Sequence, residues 1–221
     1  MNDCPVRSCG TLLTFFEGRL RVSPFFPLSL ALMYYIEGGT SFITVLFAAL
    51  LHESGHIAAI YAVGSRVTSA ALYPVGAVIY YAESRVSCKG AIFVSLSGII
   101  ANMAFAAVGT VVFCIYPTVT HLLFIAANLF FALFNLLPLR NNDGSNALHH
   151  LLEMLLPPSD APKAEKILHM AGLISSLLVF AAAAMLYALS GASPAVAVLG
   201  IMAVSTIAWG RCKSADRNRQ R

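Results

Sequence analysis

The stretch LLHESGHIAAIYAVG, residues 50–64, sets two histidines and a glutamate into a run that is otherwise apolar. His52, Glu53 and His56 form the pattern HExxH. On a helix, residues four apart lie one above the other, so both imidazoles can reach one ion while Glu53 sits beside them, facing its open position. Zinc is the metal that this arrangement most often holds. An ionisable group at mid-membrane depth costs about 2.5–3.5 kcal/mol even on the lenient insertion scale. A bound ion is the first candidate for what compensates; histidines hydrogen-bonded within a helix bundle are the plain alternative.

A catalytic zinc takes a third protein ligand and leaves its fourth position for water. The downstream candidates are Glu83, His121, Asp143, His149, His150, Glu153 and His169. Asp143 is favoured, because Asn135-Leu136-Leu137-Pro138 ends an apolar helix and Asp143-Gly144 follows, which lets the chain break and turn a carboxylate back toward the membrane interior. Non-helical backbone at that depth is tolerated only where protein or a water-filled cavity surrounds it. His121 starts its helix at the opposite face and reads as interfacial. His149 and His150 fall on an amphipathic cytoplasmic stretch, as solvated or packing groups, and Glu83 faces water. Glu153 and His169 have no spacing that singles them out.

The elements that must position these residues are set by composition. Of 221 residues, 58% are hydrophobic and 11% charged, with mean hydropathy +0.78, whereas soluble domains carry about 25% charged residues. This is the composition of an integral membrane protein. Apolar runs predict helices at 24–37, 41–64, 91–116, 119–138, 167–189 and 194–209, most of them near the ~20 residues that cross a bilayer core. Six spans place Arg7, Arg19 and Arg21, then Arg66, Arg85 and Lys89, then Arg140, Lys163 and Lys166, then the five basic residues after Trp209, all on one side. Together these are all 14 Lys and Arg. By the positive-inside rule that side is cytoplasmic and holds both termini.

Between the second and third runs, SAALYPVGAVIYYAES has β-branched and aromatic residues around Pro74-Val75-Gly76 and reads as a short hairpin, 72–81, packed against the membrane domain. The expected fold is an all-α polytopic membrane protein of about six transmembrane helices with that short membrane-associated β-hairpin between helices 2 and 3. Its organisation is a cytoplasmic N-terminal segment 1–23, a membrane domain 24–209 and a basic cytoplasmic tail 210–221, which suits anionic lipid headgroups. The N-terminal region lacks the pattern of a cleavable signal. Five scattered cysteines form no CxxC pair and read as free thiols. The +4 charge follows from topology, and no basic and aromatic surface suggests nucleic acid.

These residues resemble the site-2 protease family of intramembrane zinc metalloproteases, whose signatures are HExxH on one transmembrane helix and a later NxxPxxxxDG. The second reads Asn135-Leu136-Leu137-Pro138-Leu139-Arg140-Asn141-Asn142-Asp143-Gly144, with the family's offset from asparagine to aspartate. In layout the chain is most similar to the compact six-span branch that includes the sporulation pro-sigma-factor protease. The resemblance implies that His52, His56 and Asp143 ligate one zinc ion per chain and that Glu53 is the general base. Gly98 and Asn102 match the family's GPxxN element, whose proline is Ile99 here. The usual hydrophobic residue before the aspartate is Asn142, and the second glycine after it is Ser145.

The expected activity is zinc-dependent hydrolysis of peptide bonds within or near transmembrane segments, the form of chemistry used in regulated intramembrane proteolysis. Asn102 and Asn135 are the candidate contacts to substrate or oxyanion. The expected partners are the lipid bilayer, a transmembrane or membrane-associated protein substrate, and a regulatory membrane protein or a second copy of the chain. Two alternatives come from other classes: a divalent-metal transporter, which needs polar residues across both leaflets, and a catalytically silent relative that binds membrane partners.

Overall fold

The computed structural model describes residues 13–16, 19–74, 76–83, 86–139 and 142–190. The expected helix at 194–209 and the tail 210–221 lie outside the described residues, as do Arg85, Arg140 and Asn141. The elements in order are β1 (Leu13–Phe15), β2 (Leu20–Val22), α1 (Phe25–Glu37), α2 (Gly39–Ala62), β3 (Val67–Tyr73), β4 (Gly76–Tyr81), α3 (Cys88–Ile115), α4 (Val119–Leu136), α5 (Asp143–Leu155) and α6 (Ala161–Ser190).

Four helices, α2, α3, α4 and α6, are long and apolar enough to cross a bilayer. The first expected span is shorter. At 13 residues α1 rises about 20 Å, against a hydrocarbon core of about 30 Å. Gly38, at φ 77°, breaks the chain before α2 begins. That left-handed conformation suits a residue without Cβ. Helix α6 begins six residues earlier than hydropathy predicts, because Ala161–Lys166 is polar yet contains no residue after Pro162 that opposes a helix.

The packing is that of a bundle in oil. Large apolar side chains such as Phe47, Leu50, Val111, Leu133 and Leu177 are exposed, whereas the buried positions are mostly small or polar: Ala48, Ala59, Ala91, Ser95, Ser97, Ala106, Ala127 and Ala132. Between helices that both lie in lipid the hydrophobic effect supplies no attraction, and small residues allow the close approach from which dispersion and hydrogen bonding do. Gly55 is the clearest case. A Cβ there would stand 2.7 Å from Ala101 Cβ and 2.8 Å from the Ser97 carbonyl, so α2 and α3 touch backbone to backbone.

The expected hairpin is present and longer than predicted, with β3 and β4 antiparallel and Tyr73 paired with Gly76 across the turn. It is also part of something larger. A four-stranded sheet runs in the order β1-β2-β3-β4, with β2 parallel to β3 (Arg21 opposite Ala71). The N-terminal residues thus supply two strands, of which Leu13–Phe15 pairs with Leu20–Val22 and Leu20–Val22 in turn pairs with β3. Three-residue strands give no usable alternation in sequence, and the pairing of β2 with β3 joins residues fifty apart, such as Arg21 and Ala71. The sheet follows directly from α2, and Ile79 and Tyr81 pack with Ala59, Ile60 and Val94 at that end of the bundle.

Candidate metal centre

Helix α2 presents His52 and His56 on one face, one turn apart, in the second half of a 24-residue helix. The third member arrives from a different direction. Leu137 adopts φ −63°, ψ 134°, the extended conformation favoured before proline, and ends α4 at Leu136. The absent amide hydrogen of Pro138 would have been the helical partner of the Phe134 carbonyl. Asn142 Nδ2 donates to that carbonyl at 2.8 Å, beside a longer bond from the Leu137 amide at 3.3 Å. This explains the asparagine at a position where the resemblance leads one to expect a hydrophobic residue. The chain turns back, Leu139 is fully buried, and α5 begins with Asp143 pointing at the two histidines.

Gly144 permits this turn. A Cβ at that position would collide with the backbone carbonyl of Leu136, so the start of α5 rests directly on the last turn of α4.

Asp143 Oδ2 lies 2.9 Å from His52 Nε2 and 3.2 Å from His56 Nε2, and the two Nε2 atoms are 3.2 Å apart. Tetrahedral zinc with ligands at about 2.0–2.1 Å separates its donors by roughly 3.4 Å. The triangle therefore fits one ion with only small side-chain adjustments. The site is also shielded: the three side chains are 7%, 12% and 16% exposed. Two neutral imidazoles and a carboxylate form a borderline donor set suited to zinc.

The tautomer required of His56 is fixed by its surroundings. Its Nδ1–H donates to the Val94 carbonyl of α3 at 2.8 Å, which leaves Nε2 with a lone pair facing Asp143 and His52. Ser97 Oγ donates to the same carbonyl at 2.6 Å and lies 3.3 Å from His56 Nδ1. His52 is held by packing, its ring centroid 6.3 Å from that of Phe131. Helix α3 can approach so closely because residue 98 is glycine. A Cβ there would strike His56 Nε2 and come within 2.7 Å of His52 Cε1.

The structure thus brings His52, His56 and Asp143 together, with Glu53 partly buried beside them and close enough to interact electrostatically with all three. Asn102 lies one turn beyond Gly98 on the same face of α3. It is fully buried, and neither its Nδ2 nor its Oδ1 has a hydrogen-bond partner among the described residues. Asn135 is otherwise engaged, its Nδ2 donating to the Phe131 carbonyl at 3.0 Å within α4.

The remaining candidates stand apart from the triad. His121 lies in the first turn of α4, which Thr118 caps: the His121 amide donates to Thr118 Oγ1 at 3.2 Å, and its ring lies 2.8 Å from the Tyr116 carbonyl. Glu83 and His169 are exposed. His149, His150 and Glu153 form a second cluster farther along α5. Sequence reasoning missed Val94, Ser97 and Asn142 as supports of the site. A backbone carbonyl leaves no sequence signal, but the asparagine four residues after a proline offered one.

Comparison with known proteins bears on the fold. Neither a protein-family model nor a curated protein matches this chain. Among solved structures, the chain is similar to the Site-2 Protease from Methanocaldococcus jannaschii, with a TM-score of 0.58 and 18% identity over 89% of this chain and 91% of that one. The shared feature is the fold: a mostly helical architecture with apolar helices of membrane-spanning length.

Proposed function

We propose that the protein is a zinc-dependent intramembrane endopeptidase of the site-2 protease type, hydrolysing peptide bonds within or near transmembrane segments of membrane-protein substrates. The observation that carries this reading is the convergence of His52, His56 and Asp143 on one point inside a membrane bundle, with Glu53 beside it. A structural ion would need no glutamate there.

In this reading His52, His56 and Asp143 hold one zinc ion per chain, which when bound polarises the scissile carbonyl and lowers the pKa of water beside it. Glu53 takes the proton from the attacking water and returns it to the leaving amine. Val94 keeps His56 in the tautomer that leaves Nε2 free. Asn102, buried with an amide that has no partner among the described residues, is suited to hydrogen-bond the substrate backbone or the oxyanion. Asn135 is the weaker candidate for that role because its amide hydrogen is used within α4. Strand β4 is an edge of the sheet, and a substrate segment unwound from its helix can add to it.

The wider arrangement belongs to the same proposal: six spans with both termini cytoplasmic, a domain covering residues 24–209, and the compact branch of the family. The test is cleavage of a panel of single-span membrane substrates by the purified protein beside Glu53→Gln, with zinc measured in both. Zinc near one per chain in both samples, and cleavage by the unmodified protein alone, is the expected result. An absence of bound metal in the unmodified protein would overturn the reading.

A further inference from the structure

The proposed metal centre leaves a second convergent cluster unused. On α5, His149 Nδ1 and His150 Nδ1 lie 3.5 Å and 3.0 Å from a single oxygen, Oε2 of Glu153. All three donor atoms fall within 4.8 Å of one another. The imidazole planes stand at 86° with centroids 5.5 Å apart, so the rings do not stack against each other and their nitrogens stay turned toward the carboxylate. His149 and Glu153 are separated by one helical turn, the spacing that brings two side chains over one point.

We infer that His149, His150 and Glu153 form a second metal site, one that takes a borderline divalent transition ion such as zinc. Two imidazoles and a carboxylate are the same donor types found in the buried triad, and zinc, copper and nickel all favour imidazole. The distances of 3.0 and 3.5 Å already bracket the roughly 3.4 Å donor spacing of a tetrahedral ion. The side chains of His149 and Glu153 are about half exposed, so closing the third edge needs only rotation of side chains in solvent. Among the described residues Glu153 pairs with no lysine or arginine, and its carboxylate is not committed to a competing cation.

The site differs in kind from the buried one. It lies six to ten residues along the helix that begins at Asp143, about 10 Å up its axis, and on the side away from the buried Gly144 and Ala147. Solvent supplies its remaining ligands and competes for its donors, so it binds more weakly than the buried triad and fills second. An ion there spans one turn of α5 and braces the helix that carries Asp143.

The experiment is a zinc titration of the full-length detergent-purified protein, beside the triple variant His149→Ala, His150→Ala, Glu153→Gln and the double variant His52→Ala, His56→Ala. Two equivalents are expected in the unmodified protein, with only the weaker lost in the triple variant and only the tighter lost in the double variant. Saturation of the unmodified protein at one equivalent that survives the triple substitution would overturn the inference, as would retention of both equivalents in the triple variant. Loss of metal only in the triple variant would instead overturn the buried centre, so the two readings fail separately. A measurement without substitutions guards against misfolding. Saturating zinc should protect His149 and His150 from diethyl pyrocarbonate, read by peptide mass, and undiminished modification of both would count against the site.

Discussion

Gly98 of α3 faces His56 of α2 at a distance that no side chain could occupy: a Cβ built on the glycine collides with the imidazole Nε2, the atom directed toward Asp143. The contact couples helix packing to ligand geometry. Gly98→Ala should strengthen α3 as an isolated helix by about 1 kcal/mol, yet it must displace His56, His52 or the whole helix. A shift on the order of 1 Å costs about a hundredfold in rate. Zinc content and cleavage should both fall while helical content by circular dichroism stays level; unchanged zinc and cleavage would show that the bundle accommodates the methyl group freely.

The bond from Asn142 to the Phe134 carbonyl predicts a different outcome. Asn142→Ala leaves the carbonyl with only the longer bond from the Leu137 amide, at 3.3 Å, at a cost of about 1 kcal/mol. Because Asn142 directly precedes Asp143, the loosened turn should also weaken metal binding, by about 10–100-fold as for other outer-shell supports. Thermal unfolding in detergent and competition for zinc with a chelator read the two effects. A lowered midpoint with unaltered zinc affinity would separate the turn from the site.

Much of the site was legible because its chemistry is local in sequence. HExxH sets two histidines and a glutamate close together by helical spacing alone, and the proline at 138 followed by Asp143-Gly144 marks where the chain can return. The long helices were legible from hydropathy, within a few residues at most ends. What escaped has physical causes. Strands β1 and β2 are three residues each, too short to show alternation, and β2 joins the sheet through β3, fifty residues away. The polar first turns of α6 carry no apolar signal. Val94 acts through its carbonyl, which any residue type supplies. The need for glycine at 98 becomes visible only once α2 is packed against α3.

Asn102 offers a test in which stability and activity should move apart. Its amide is buried and has no hydrogen-bond partner among the described residues, so Asn102→Leu should leave stability unchanged or raise it. If the amide meets the substrate or the oxyanion, cleavage should nevertheless fall by about a hundredfold, with zinc content unaltered. Comparable losses of stability and activity would mark Asn102 as a packing residue.

Metal removal tests how far the fold prepares the centre. Each proposed ligand is positioned by a contact of its own: His56 by Val94, His52 by Phe131, and Asp143 by the turn that Asn142 and Gly144 hold against α4. None of these contacts involves an ion. Chelation should therefore abolish cleavage without unfolding the bundle. The unfolding free energy should drop by the linkage amount only, about 2.7 kcal/mol for zinc that had been present at a hundred times its dissociation constant. Readdition of zinc should restore cleavage without a refolding step. If chelation instead caused loss of helical signal, or if activity failed to return, the ion would be organising α5 rather than entering a site already built.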